Sequence, residues 1–291
     1  PVQTTLSLTA KDAVYTGSAY DAETKLTASA NVENPTITYT YYADSNGEKG
    51  AKLDGAPVNA GTYWVEGYIA ASGNNSAVTS EPVQFQITKA PLTATADDQS
   101  VTYGDDAPNY TVSYTGFVGG ENASVVSGIE TDCAYAAGSD AGEYAITPKG
   151  ATADNYAITF VEGKLTVGKL TAALAWNDYA ERTYDGKASN VTASVTNKIG
   201  NDDVTVTVTG GDAVNAGTYT AAVAGLAGAK AGNYQLPEEG LTQSYTINRA
   251  ALTIASVAVE GKTYDGTTDA KVTSVTFNGL QNGEELVSGT D

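Results

Sequence analysis

Three short elements recur in step along this 291-residue chain, and their common period constrains the fold more tightly than any other feature. The first is a tyrosine closely followed by glycine: Val14-Tyr15-Thr16-Gly17, Thr102-Tyr103-Gly104-Asp105, Thr183-Tyr184-Asp185-Gly186 and Thr263-Tyr264-Asp265-Gly266. Its tyrosines, Tyr15, Tyr103, Tyr184 and Tyr264, follow one another at a nearly constant step. The second is Val58-Asn59-Ala60-Gly61-Thr62-Tyr63, Asp140-Ala141-Gly142-Glu143-Tyr144 and Val214-Asn215-Ala216-Gly217-Thr218-Tyr219. The third begins Ile87-Thr88-Lys89-Ala90-Pro91-Leu92-Thr93, Val167-Gly168-Lys169-Leu170-Thr171 and Ile247-Asn248-Arg249-Ala250-Ala251-Leu252-Thr253, with its basic residues Lys89, Lys169 and Arg249 evenly spaced. Together they predict modules at 1–89, 90–169 and 170–249 and a partial fourth at 250–291.

Within a module the hydrophobic period is that of strands. In Val204-Thr-Val-Thr-Val-Thr209, Val204, Val206 and Val208 share one face and Thr205, Thr207 and Thr209 the other. Ile37, Tyr39 and Tyr41 alternate with threonines, and Val83-Gln-Phe-Gln-Ile87 sets three apolar side chains against two glutamines. Asp185-Gly186 and Asp265-Gly266 suit type I′ hairpin turns, in which both central residues take positive φ. The Ala-rich stretch from Ala221 to Ala231 carries glycines at 225 and 228, which argue against a helix. The expected fold is all-β: tandem small immunoglobulin-like β-sandwich modules in an elongated rod, with β-grasp-like modules as runner-up.

Composition removes whole classes of function. With 15 Lys+Arg against 34 Asp+Glu the net charge is −19, which repels phosphate backbones and anionic bilayers, so nucleic-acid partners are not expected. No apolar run reaches the roughly 18 residues a spanning helix needs, so no membrane insertion is expected in this segment. The opening Pro1-Val2-Gln3-Thr4-Thr5 lacks the charge and apolar stretch of a signal peptide, and the chain reads as a piece excised from a longer array.

Absence of histidine excludes Ser-His-Asp and Cys-His nucleophiles and leaves carboxylate pairs as the main enzymatic option. Candidate doublets are Asp97-Asp98, Asp105-Asp106, Asp202-Asp203, Glu238-Glu239 and Glu284-Glu285. Adjacent strand positions face opposite ways, so these read as solvated turn charges. No zinc-type cluster or EF-hand spacing occurs, and neither metal nor cofactor is expected. The single cysteine, Cys133, reads as a small buried hydrophobe. Gly116-Phe-Val-Gly-Gly120 lacks the Lys-Ser/Thr of a phosphate loop and reads as a turn. Asn-x-Ser/Thr sequons stand at Asn74, Asn109, Asn122 and Asn190.

Aromatic residues supply the other binding option. Trp64 sits near Tyr39, Tyr41, Tyr42 and Tyr68 in sequence, and Trp176 near Tyr179; such rings could stack on a sugar. With 19 Tyr and only 4 Phe, however, tyrosine must supply core bulk, and the periodic Tyr15, Tyr103, Tyr184 and Tyr264 read as core or module-interface residues.

Tyr264-Asp-Gly-Thr-Thr268, followed by Phe277-Asn-Gly-Leu-Gln-Asn-Gly-Glu284, resembles the YDG-type repeat of bacterial surface proteins. Leu92-Thr-Ala-Thr-Ala96, Val101-Thr-Tyr-Gly-Asp105 and Tyr114-Thr-Gly-Phe-Val-Gly-Gly-Glu121 resemble the related MBG module. The first module departs from the pattern: Val14-Tyr15-Thr16-Gly17 lacks the Asp, and no comparable Gly-Phe element follows. The resemblance implies tandem arrays in secreted or cell-wall-anchored, adhesin-like proteins and supplies no catalytic residues.

Only four residues separate Ile87 from Leu92, one of them Pro91, so the junction is no flexible linker. Three modules in a row, each with a radius of gyration of about 12 Å, should exceed roughly 90 Å. Short joints predict a stalk or spacer whose partners are adjacent modules, and the resemblance implies that it is a non-enzymatic, extracellular part of a bacterial adhesin-like protein. The alternative is a set of carbohydrate-binding accessory modules of a secreted polysaccharide-active enzyme, with host or polysaccharide glycans as ligands.

Overall fold

A computed structural model describes residues 6–21, 25–28, 36–73 and 75–286; Pro1–Thr5 and Asn74 lie outside them. The described residues form strands and two 3-10 turns, as the all-β expectation requires. The chain divides into two compact units, one holding Pro1–Val101, Ala107–Tyr135 and Glu143–Thr166, the other Thr102–Asp106, Ala136–Gly142 and Val167–Asp291.

One strand order recurs. In the first unit the strands Ala13–Val14, Val83–Thr88, Gly61–Ile69, Ile37–Ser45 and Glu48–Lys52 lie side by side, with Val78–Thr79 paired on Gly61–Ile69. The same sequence of neighbours appears as Gln99–Thr102, Gly163–Gly168, Gly142–Lys149 and Glu130–Cys133. In the second unit it appears as Glu181–Thr183, Thr242–Asn248, Gly217–Ala227 and Thr205–Thr209. A second sheet sets Ala90–Ala96 between Val112–Thr115, antiparallel, and Tyr156–Val161, parallel. Its counterpart in the second unit is the parallel pair Leu170–Thr171 with Tyr234–Gln235. Val112–Thr115 and Ala90–Ala96 are mirrored by the antiparallel Val272–Asn278 and Thr253–Val259.

Register-equivalent core positions keep their burial while changing their residue. Phe85, Leu165 and Tyr245 occupy one position in successive repeats and are 2%, 0% and 1% exposed; Val65, Ile146 and Ala221 are each 0% exposed. Tyrosine does serve as core bulk: Tyr245 reaches Gly210 O through its hydroxyl at 2.8 Å, so its one polar atom is satisfied. Tyr20 stacks on Phe85 with centroids 4.0 Å apart. The strand Val83–Thr88 alternates as expected, with Phe85 and Ile87 buried and both glutamines exposed. The Ala-rich stretch is strand up to Ala227, the end of Gly217–Ala227, and then turns into the 3-10 turn Ala231–Asn233.

Two expectations are corrected. Neither Asp185-Gly186 nor Asp265-Gly266 forms a type I′ turn, because only the glycine of each takes positive φ. Each aspartate instead accepts the backbone N–H two residues on, from Lys187 and Thr267, both at 3.0 Å. That local bond competes with the hairpin conformation. Positive φ at two successive residues occurs at Asn46-Gly47, which joins Ile37–Ser45 to Glu48–Lys52, and also at Gly119-Gly120 and Asn282-Gly283. Cys133 is half-buried rather than buried, because Glu130–Cys133 is the edge strand of its sheet.

The fourth sequence repeat is exposed where its counterparts are covered: Leu92 is 1% exposed, and Leu252, which follows the same Ala-x-Leu-Thr pattern, is 45% exposed. Leu92→Ala should therefore lower stability by about 2–5 kcal/mol in urea denaturation. Leu252→Ala should change it by less than about 0.5 kcal/mol.

Candidate functional site

The periodic tyrosines are built into a recurring clasp, which in the first unit starts at Tyr15. The Tyr15 backbone N–H donates to Thr88 O at 2.8 Å, fixing it at the end of the short strand Ala13–Val14. Its hydroxyl donates to Glu121 Oε1 at 2.8 Å, and the hydroxyl of Tyr156 donates to Oε2 of the same carboxylate. The two rings meet edge-to-face, 5.6 Å apart at 81°. Glu121 is aimed by the Gly119-Gly120 turn, closed by its own N–H on Val118 O at 3.1 Å, and Tyr156 opens the strand Tyr156–Val161. Phe117 packs against the Tyr156 ring, centroids 5.5 Å apart.

The second unit repeats the arrangement. Tyr103 and Tyr234 donate to Asp202 Oδ2 at 2.9 and 2.7 Å. Their rings also meet edge-to-face, 5.6 Å apart at 69°. Ile199 N–H donates to the Tyr234 hydroxyl at 2.8 Å, as Val118 N–H does to Tyr156 at 3.1 Å. A partial third copy pairs the Tyr184 hydroxyl with Glu284 Oε1.

An asparagine completes each full clasp. Asn155 Oδ1 accepts the Ala60 N–H at 2.9 Å while its Nδ2 donates to Asn59 Oδ1 at 3.1 Å. Asn233 does the same to Ala141 N–H at 2.9 Å and Asp140 Oδ1 at 2.8 Å. Lys230 adds an ion pair to Asp140 at 2.6 Å. The Asn-Ala-Gly and Asp-Ala-Gly elements are thus acceptor-and-donor pairs for an asparagine side chain.

The glycine after the tyrosine is required twice over. Gly17 takes φ +77°, and a Cβ there would stand 2.8 Å from Gly119 Cα. Gly104 takes φ +96°, and a Cβ would stand 2.6 Å from Ile199 Cδ1. Neither conformation nor space admits a side chain.

Burial, and then the hydrogen bond to the carboxylate, raises the ionisation of Tyr15 and Tyr103 above the usual phenol range; the same causes raise Tyr156. They push Tyr234 to about 12. The four hydroxyls therefore stay protonated donors across the physiological range. The two complete clasps can hold distant stretches of chain together.

Several members of the carboxylate doublets accept from hydroxyls and backbone N–H groups. Asp97 accepts from Thr111 and Ser113, both at 2.6 Å, Asp98 from Lys164 N–H at 2.7 Å, and Asp203 from Ala229 N–H at 3.1 Å. Asp202 and Glu284 are the doublet members that enter the clasps. Trp64 lies half-buried across from Tyr42 and donates its Nε1–H to Asp44 at 2.8 Å. Asp44 also accepts from Gly47 N–H and Gln84 Nε2, each at 3.0 Å, and these bonds hold its carboxyl below the usual range. Tyr42 donates to Glu66 at 2.7 Å, so the ring and carboxylates form one outward patch. Trp176 donates to Gly240 O at 3.0 Å, away from that patch in sequence and sheet.

Sequence reasoning singled out Tyr15, Tyr103 and Tyr184 but missed the asparagine–tyrosine partner. The signal was present as Ala151-Thr-Ala-Asp-Asn-Tyr156 and Ala229-Lys-Ala-Gly-Asn-Tyr234, an Ala-x-Ala-x-Asn-Tyr pattern shared by the second and third repeats.

Residues 92–166 match the family model of the MBG domain (YGX type), and this segment holds the residues that carry the MBG resemblance; the YDG-type resemblance at 264–284 lies outside the match. No curated protein matches the chain. Among solved structures it is similar to the fibronectin(III)-like modules of Clostridium thermocellum CbhA, at 15% identity, TM-score 0.21, over 56% of this chain and 93% of that one. It is also similar to Drosophila N-cadherin EC1-3, at 14% identity, TM-score 0.22, over 76% and 91%. A third is the Bacteroides ovatus mixed-linkage glucan utilization locus protein SGBP-B in complex with a heptasaccharide, at 13% identity, TM-score 0.19, over 91% and 75%. Likeness at these TM-scores carries no functional weight. Among the described residues no helix is long and apolar enough to cross a membrane.

Removing one donor from a carboxylate clasp should be measurable. Tyr234→Phe should destabilise the protein by about 1.5–3 kcal/mol, the range for a hydrogen bond to a charged group. A double-mutant cycle of Tyr103→Phe with Asp202→Asn should show a coupling of about 0.5–3 kcal/mol. Because Tyr234 ionises higher in the folded chain (about 12) than the ordinary 10.0, its contribution is complete below pH 10. It should fade as pH rises from 10 towards 12, and Tyr234→Phe should flatten that alkaline loss.

Proposed function

We propose that this chain is a non-catalytic spacer segment of an extracellular, adhesin-like bacterial surface protein, in which neighbouring repeats are held in fixed register. The observation that supports this reading most is the recurrence of one clasp, tyrosine–carboxylate–tyrosine with an asparagine beside it, at Tyr15/Glu121/Tyr156 and again at Tyr103/Asp202/Tyr234. In the two complete clasps the recurring aromatic and acidic residues are spent on binding each other. The net charge of −19 keeps such a segment soluble and away from anionic surfaces. The MBG-domain match over 92–166 agrees with a repeat-array origin.

A second reading rests on the Trp64 patch. Trp64, Tyr42 and the 40%-exposed Tyr68 lie on one side of the sheet with Asp44, Glu66 and Gln84 around them. Aromatic faces ringed by hydrogen-bonding groups are what a sugar ring requires. The spacer reading is favoured because Trp64 is half-buried and its N–H is already committed to Asp44.

Small-angle X-ray scattering of the whole chain should give a maximum dimension above roughly 90 Å, as three modules of about 12 Å radius of gyration in a row would. A markedly shorter particle would contradict the spacer. On a glycan array the spacer should show no binding; saturable micromolar binding abolished by Trp64→Ala would establish the carbohydrate reading instead.

A further inference from the structure

We propose that a cleft in the second unit, framed by Tyr184, Ala216, Ala250, Leu280 and Glu284, is a receptor for an added β-strand that begins with the pair Asn-Tyr. The cleft has a volume of about 440 Å³. The tyrosine, the carboxylate and the Asn-Ala or Asp-Ala pair that receive such a strand in the two complete clasps have counterparts here, and the N–H of Gln281, at the place of Val118 and Ile199, donates to Glu284 Oε2 at 3.4 Å. Tyr184 and Glu284 stand where Tyr15 and Glu121 stand, already hydrogen-bonded to each other. Asn215-Ala216 occupies the place of Asn59-Ala60 and Asp140-Ala141, whose side chain and N–H receive the asparagine. Gly116 and Gly279 share another signature: a Cβ at either would strike the carbonyl of Pro91 or Ala251, at 2.5 and 2.2 Å. Counting on from these glycines sets Leu280 at the place of Phe117, the apolar surface under the Tyr156 ring.

The backbone register agrees. Tyr156 pairs in parallel with Ala90, and Tyr234 in parallel with Leu170. One more step of the same length along the chain places Ala250 next in that series, at the cleft's edge. Lys89 Nζ donates to Ala153 O at 2.9 Å, three residues before Tyr156, and Arg249 stands in the cleft at the equivalent position. The sheet beside the cleft is short of cover: Leu252 and Ile254 are 45% and 63% exposed, where Leu92 and Ala94 are 1% and 0% exposed. A parallel strand laid on this edge would extend the ladder by backbone hydrogen bonds, with the Asn and Tyr side chains supplying specificity.

The occupant is a strand from a repeat of this type outside these 291 residues. Of the Asn-Tyr pairs within them, Asn109-Tyr110 leads into Val112–Thr115, already paired with Ala90–Ala96, and the strands from Asn155 and Asn233 are seated in clasps. The inference stands on the geometry of the clasp alone and does not depend on the spacer reading.

The test uses the whole chain and a fluorophore-labelled peptide copying residues 151–161, Ala-Thr-Ala-Asp-Asn-Tyr-Ala-Ile-Thr-Phe-Val. Fluorescence anisotropy should show saturable binding at one peptide per chain. Peptides with Asn155→Ala or Tyr156→Phe should bind at least about tenfold more weakly, since each loses a hydrogen bond worth about 1.4 kcal/mol or more. Glu284→Gln in the chain should weaken the parent peptide similarly; the peptide variants report independently of any effect of that substitution on folding. Absence of saturable binding, or equal binding of a scrambled peptide and the parent, would overturn the proposal.

Discussion

A single carboxylate gripped by two buried tyrosine hydroxyls is the interaction on which the arrangement of the repeats depends. At Glu121 and at Asp202 it joins residues far apart in sequence, and each tyrosine is itself pinned by a short backbone pairing. A carboxylate removed from water is costly unless its lone pairs are filled, and hydrogen bonds to a charged acceptor are about twice as strong as neutral ones. The clasp is therefore selective: one partner without the other leaves a buried polar group unmet. Burial raises the tyrosines' ionisation, which keeps them donors wherever the carboxylate is charged.

Around that interaction the other recurring residues take specific duties. Gly17 and Gly104 let the tyrosine loop approach its partner closely, because a Cβ would stand within 2.8 and 2.6 Å of the facing atoms. The Ala-Gly elements offer one N–H to an asparagine, and the Gly-Gly or Asn-Gly turns aim the carboxylate. Cores, by contrast, are tolerant: Phe85, Leu165 and Tyr245 fill the same place in successive repeats. The chain thus holds its joints more strictly than its interiors.

That contrast explains what was legible in the sequence. Strands such as Val83–Thr88 and Thr205–Thr209 were readable because alternation reports a half-buried sheet face directly. The tyrosine and Ala-Gly anchors were readable as a period, and the shortage of phenylalanine pointed the tyrosines to a core or module-interface place. The asparagine–tyrosine partner was overlooked because Asn155-Tyr156 and Asn233-Tyr234 look locally like ordinary turn-to-strand boundaries, and their meaning lies a whole repeat away, at Ala60 and Ala141. Asp185-Gly186 misled for a local reason: its carboxylate captures a nearby N–H, and only its glycine takes positive φ, so it forms no type I′ turn. Cys133 is half-buried because it lies on an edge strand, and strand order is invisible to periodicity.

The central claim is that the clasp fixes the first sequence repeat against the second within the first unit. Spin labels at Lys52→Cys and Glu130→Cys, in a Cys133→Ser background, would report it by double electron–electron resonance. The account predicts one narrow distance distribution that broadens when Glu121→Ala removes the shared acceptor. An equally broad distribution with and without Glu121 would contradict it.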